Sequence, residues 1–123
     1  MAGVTGVGGV FFKSKNAAKL LEWYRDRLGV PVNGSSAEFP WMAGNKDDGG
    51  CTVWAVFDDA SEYFEPTAAP FMINFRVDDL DALLADLAAH GVWIDERREE
   101  YPYGRFAWIR DPDGNRIELW EPH

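Results

Sequence analysis

The sequence is poor in the residues that build metal centres, disulfides and nucleic-acid surfaces. It has one cysteine, Cys51, and two histidines, His90 and His123, in 123 residues. A single cysteine cannot close an internal disulfide, which points to a reducing compartment and a cytoplasmic protein. Basic residues are also scarce: 12 Lys and Arg against 21 Asp and Glu give a formal net charge of -9. Phosphate backbones are bound by clustered Lys and Arg, so no nucleic acid is expected as a partner. The acidic surplus suits solubility and, through its long-range field, favours cationic over anionic ligands. No apolar run approaches the ~20 residues of a membrane span, so no membrane is expected as a partner either. The opening MAGVTGVGGVFF has no basic start ahead of its short apolar run, and no secretory leader is expected.

What the chain does contain is a core. It is 46% hydrophobic and 15% aromatic, a composition that suits one folded domain. An internal echo organises it. VTGVGGVFFK reads as a strand, Asn16 as a helix cap, and Ala17, Leu20, Leu21, Tyr24 and Leu28 as one apolar helix face that Gly29 closes. PFMINFRV then reads as a second strand and Asp79 as a second cap. Leu80, Leu83, Leu84, Leu87 and Ala88 repeat the stripe, which Gly91 closes. Short strand candidates follow each helix: Val30 to Val32, Ala37 to Trp41 and Cys51 to Phe57 in the first half, Val92 to Glu100, Arg105 to Arg110 and Asn115 to Trp120 in the second. Each half reads strand, helix, strand, strand, strand. The module at 1–57, the joining stretch DDASEYFEPTAAP at 58–70 and the module at 71–123 make up the chain. AGNKDDGG at 43–50 is a polar, glycine-rich loop.

Asp111-Pro112-Asp113-Gly114 predicts a tight turn: Pro112 presets one backbone angle, Asp111 bonds the turn, and Gly114 takes the left-handed conformation. The turn fixes the register of the last strand, placing Ile117 and Leu119 on one face and Arg116, Glu118 and Trp120 on the other.

Two such modules ending in GRFAWIRDPDGNRIELWEP resemble the glyoxalase, bleomycin-resistance and extradiol-dioxygenase group, the vicinal oxygen chelate superfamily. The resemblance rests on Trp23-Tyr24 and Leu28-Gly29, on Val77-Asp78-Asp79-Leu80, and on Asp111-Pro112-Asp113-Gly114-Asn115 before Ile117-Glu118-Leu119. It implies an α+β fold of two βαβββ modules whose mixed, curved sheets form an open, barrel-like cup with the helices outside. It also implies that Glu118, matching the family's carboxylate metal ligand, points into the cup, and that the protein forms a homodimer.

Metal-dependent members of the group pair that glutamate with a His or Gln on the first strand of each module. A divalent ion needs several convergent N or O ligands. Here the equivalent positions, seven residues before each cap, are Gly9 and Met72. Glycine has no ligand and a thioether suits soft ions. His90 ends the second helix and His123 ends the sequence. CTVWAVF lacks the further Glu of the glyoxalase I enzymes. The expectation is no metal and no cofactor, with a divalent ion at Glu118 as the runner-up.

Alternation along the strands puts Gly9, Phe11 and Lys13 on one face of the first strand and Met72, Asn74 and Arg76 on one face of the strand that opens the second module. With Arg116, Glu118 and Trp120 they give the candidate ligand-binding set: Phe11, Met72, Asn74, Arg76, Arg116, Glu118 and Trp120. Either Arg76 or Arg116 pairs with Glu118 in a satisfied polar core, or Glu118 lines a wet cavity. Trp23 is expected in the core, while Trp41, Trp54, Trp93, Trp108 and Trp120 fall on strand candidates. Trp120 is the first of these to line the cup. Tyr101 and Tyr103 in EEYPYGRF read as a solvated hairpin tip, and Cys51 as a small buried residue. The function these residues suggest is metal-independent binding of an aromatic or cationic small molecule. The alternative is a lyase or isomerase of the glyoxalase type, or a dioxygenase-like metal enzyme with an atypical site, using Glu118 as its catalytic residue.

Overall fold

The computed structural model describes residues 2–41, 50–65 and 69–123. The loop expected at 43–50 lies outside the described residues apart from Gly50. Seven strands and two helices follow in the order β1 (Val4–Ser14), α1 (Ala17–Leu28), β2 (Ser36–Pro40), β3 (Cys51–Asp58), β4 (Phe71–Val77), α2 (Leu80–Ala89), β5 (Ile94–Tyr101), β6 (Gly104–Arg110) and β7 (Arg116–Pro122). They form one mixed sheet, ordered β2-β3-β1-β4-β7-β6-β5 and not closed into a barrel. The two halves meet at the antiparallel β1–β4 pair. Inside each half the first strand runs parallel to a later one, β1 beside β3 and β4 beside β7.

The caps form as expected. The Asn16 side chain accepts from Lys19 N at 3.2 Å and that of Asp79 from Ala82 N at 3.1 Å. Gly29 and Gly91 end their helices with φ of 70° and 75°, angles that a Cβ makes costly. The second half is βαβββ, but the first is one strand short, because Val30–Val32 does not join the sheet. Val30 N is used to close the helix on Tyr24 O, Val32 N turns back to Val30 O, and Pro31 has no N–H to give. Trp41 and Trp93 lie just outside β2 and β5.

The sheet has two unlike faces. On the outer face, α2 lays Leu80 and Leu84 on Val77, Ala107, Ile109 and Leu119 to form one closed core. Helix α1 packs more loosely on the same side: it buries none of its residues, and Tyr24 meets Phe12 and Trp54 edge-on. Trp23, expected in the core, is 51% exposed. One residue is about 100° of helix rotation, so seating Tyr24 on the sheet turns Trp23 out to the rim.

The inner face carries a second core of Phe11, Ala55, Phe64, Met72 and Trp108. Phe64 belongs to none of the strands. It comes from the stretch that joins the halves, and it is completely buried. The joining segment therefore folds back into the concave side of the sheet, packs Phe64 on Phe57, and carries Tyr63 with it.

Candidate functional site

The turn at Asp111 sets the geometry of the site. Asp111 Oδ1 accepts from the backbone N–H groups of Asp113 and Asn115, both at 2.9 Å, while Gly114 N donates to Asp111 O at 2.9 Å. This fixes Arg110 opposite Arg116 and hence Trp108 opposite Glu118. On the other side of β7, Asn74 is the register partner of Glu118, and Gly9 that of Asn74. Gly9, Asn74, Glu118 and Trp108 thus form one row across four strands.

Glu118 lies at the middle of that row and is 1% exposed. Its oxygens are occupied by three uncharged donors. Asn74 Nδ2 donates to Oε2 at 2.7 Å, and Trp108 Nε1 donates to Oε1 at 3.1 Å. The hydroxyl of Tyr63 donates to Oε1 as well. Neither Arg76 nor Arg116 makes the direct pair with Glu118 that the sequence suggested. Arg116, 3% exposed, donates instead to Asp95 Oδ2 at 3.0 Å and lies over the Trp108 ring at 5.2 Å. Arg76 lies over Trp41 at 5.5 Å.

Burial is the largest influence on Glu118 and raises its pKa above the usual glutamate value. The bonds from Tyr63, Asn74 and Trp108, and the charge of Arg116, pull the other way. Burial, followed by the nearby Glu118 charge, also pushes the Tyr63 phenol well above its ordinary value. Tyr63 therefore keeps its proton and acts as a donor.

The expected set is only partly brought together. Asn74 and Glu118 touch, Arg116 adjoins them, and Phe11 and Met72 share the core beside them. Arg76 and Trp120 are register partners two residues further along, at the open end of the face, where Trp120 stacks on Phe106 at 6.2 Å. The open cavity does not form at Glu118, because Tyr63 and Phe64 fill it. Lys13 is turned onto the Phe64 ring. Tyr101 and Tyr103 are exposed, as expected of a hairpin tip, and stack on each other. Cys51 is half-buried rather than buried, and its thiol pKa is raised by that burial.

Three partners of this site escape the sequence pattern. Trp108 could have been found by counting back across the Asp111 turn from Glu118. Tyr63 and Phe64 leave a weaker signal, two aromatics within an otherwise acidic and polar connection.

Asn74 adds a constraint. With its amide nitrogen committed to Glu118, its Oδ1 is buried and has no partner among the described residues. A Cβ on Gly8 would overlap that oxygen and come within 3.1 Å of the Trp120 ring. Gly8→Ala should therefore cost roughly 1–3 kcal/mol, as overpacking against a locked side chain does. Urea denaturation checks this, and a neutral substitution would show that the Asn74 amide is free to turn.

The model of the Glyoxalase/Bleomycin resistance protein/Dioxygenase superfamily matches residues 10–119. The chain belongs to this superfamily. It is 27% identical over 113 residues to the uncharacterized protein YraH of Bacillus subtilis (strain 168), a match covering 84% of this chain and 88% of that one. It folds like the methylmalonyl-CoA epimerase of Streptomyces coelicolor, with a TM-score of 0.72 at 18% identity over 98% of this chain and 99% of the other. The Mycobacterium tuberculosis methylmalonyl-CoA epimerase gives 0.67 at 22% identity over 98% and 89%. At these identities the likeness is one of fold.

The divalent ion found in other members of this superfamily does not fit the residues around Glu118. The indole N–H of Trp108 is a donor only, and both it and the Tyr63 hydroxyl direct their protons at the carboxylate. Gly9 and Met72 offer no hard ligand. Among the described residues no three His, Cys, Asp or Glu side chains converge.

Proposed function

We propose that this superfamily member is a small-molecule-binding protein that works without a divalent metal at Glu118. The observation behind the proposal is that three protein donors already bond the carboxylate and occupy most of its acceptor positions, while no cation is ion-paired with it among the described residues. The ligand would take the still accessible part of the inner face, where the stacked Phe106 and Trp120 rings adjoin Arg76 and Trp41. Such a surface favours a flat, aromatic guest. The arginine there makes a cationic guest less suitable than the net charge alone suggests.

One observation favours a second reading, a metal-free lyase or isomerase with Glu118 as base. Desolvation raises the pKa of Glu118, which suits a proton acceptor, but substrate would have to displace Tyr63 to reach it.

Elemental analysis and thermal melts with added Ni, Zn or Mn test the proposal. The protein should carry no stoichiometric divalent ion, and its melting temperature should be indifferent to these metals and to EDTA. A stabilising shift with any of them that disappears in Glu118→Gln would overturn it.

A further inference from the structure

Arg110, at the far end of β6 from the Tyr101–Tyr103 tip, has no role in the Glu118 site. Its backbone N–H donates to Trp93 O at 3.4 Å, which sets the two residues side by side. The guanidinium lies over the Trp93 ring at 4.2 Å. Arginine stacked this way has its plane fixed, so its terminal N–H groups form a preorganised fork.

That fork has no partner. Among the described residues the guanidinium makes no ion pair and no hydrogen bond, and its Nε is buried without an acceptor. A partly desolvated cation left uncompensated is unfavourable. Asp95 and Asp111 are committed elsewhere. Asp95 pairs with Arg116. Asp111 accepts from Asn115 Nδ2 and from two backbone N–H groups of its own turn.

Arg110 and Trp93 also line a hollow of about 400 Å³ with Val92, Pro112 and His90, a volume within the range of small-ligand sites. Gly91 and Gly114 belong to the same wall.

We propose that this hollow is a second binding site, for a small monocarboxylate with an apolar body. The carboxylate takes the terminal nitrogens of Arg110, and the body lies on Val92, Trp93 and Pro112. Asp111 also lines the hollow and keeps its charge, held below the usual aspartate range by its bonds to Asn115, which disfavours dianions such as phosphate more than a monoanion. The net charge of the chain gives no long-range attraction, so recognition is local and affinity modest.

NMR titration of the full chain with benzoate tests the site, with benzamide and inorganic phosphate as comparison probes. Benzoate should shift the Trp93 Nε1 and Arg110 Nε resonances saturably, and neither of the other probes should match it. Arg110→Met should weaken benzoate binding by at least about tenfold, and Arg110→Lys, which keeps the charge but loses the fork, by nearly as much. Equal shifts with benzamide, tighter binding of phosphate, or benzoate shifts that persist in Arg110→Met would each overturn the proposal. Should the variants fail to fold, the comparison of probes on the native chain still decides it.

Discussion

Glu118→Ala should lower the melting temperature by roughly 12–20 °C, the counterpart of about 4 kcal/mol in a domain of this size. The substitution leaves a void where nothing is exposed. It also strands the Tyr63 hydroxyl, the Asn74 amide and the Trp108 indole N–H, each a buried donor worth about 1–3 kcal/mol when unpaired. Glu118→Gln should be far milder, about 1 kcal/mol. Its oxygen still accepts from Tyr63 and Trp108, and Asn74 can turn over so that its orphaned Oδ1 accepts from the new amide. The two variants should also differ in their dependence on pH. Burial raises the pKa of Glu118 in the folded chain, so the folded state takes up the proton before the unfolded state does. This group's contribution to stability therefore grows as pH falls from the raised value toward the ordinary glutamate range, and it does not grow in Glu118→Gln. The gap between native protein and Glu118→Gln should widen from neutral pH into mild acid. A gap that narrows, or Ala and Gln variants of equal stability, would mean that the carboxylate is not held as described.

Phe64→Ala should cost about 3–5 kcal/mol, the price of emptying a fully buried aromatic site. Phe64 is 0% exposed, packs edge-on to Phe57 at 5.0 Å and carries Lys13 on its face. If residues 61–65 were a lid lying on a finished core, the substitution would change the urea midpoint by less than about 1 kcal/mol equivalent. The expected loss has a local signature as well. Freeing Phe64 loosens Tyr63, so amide exchange should rise along 61–65 and around Glu118 before it rises in β6 under α2.

The contrast between Phe64 and Leu84 shows which parts of the structure were legible in the sequence. Leu84 sits in a stripe with helical period, and that period states both its element and the face it buries. Glu118 was legible for the same kind of reason: the Asp111 turn fixes the register of β7, and alternation then turns the side chain inward. Phe64 lies in an irregular segment where no period operates, so neither its burial nor the position of Tyr63 followed from pattern. The missing strand at Val30–Val32 had a signal in Pro31, which can donate no ladder bond. The pairing of Arg116 with Asp95 rather than Glu118 had none. Asp95 lies in the stretch of β5 where the register shifts, between Ile94 and Arg98, a three-dimensional detail. The filling of the cup at Glu118 was not legible, because strands alone do not state what the connection puts inside it.

The sheet order also bears on how the chain is made. Of the strands in this sheet β1 is made before the others, yet in the finished sheet it lies between β3 and β4. Neither of its edges can be matched until some forty residues later, when Cys51–Asp58 appears, and the second must wait for Phe71–Val77. An apolar strand with two bare edges is the kind of intermediate that pairs with the wrong chain. Gly6, Gly8 and Gly9 interrupt β1, and the register of its pairing with β4 shifts between Val4 and Gly6 and again between Val7 and Gly9. The same glycines that let Trp41, Asn74 and Trp120 lie close to the strand also make it a poor template for strangers during synthesis.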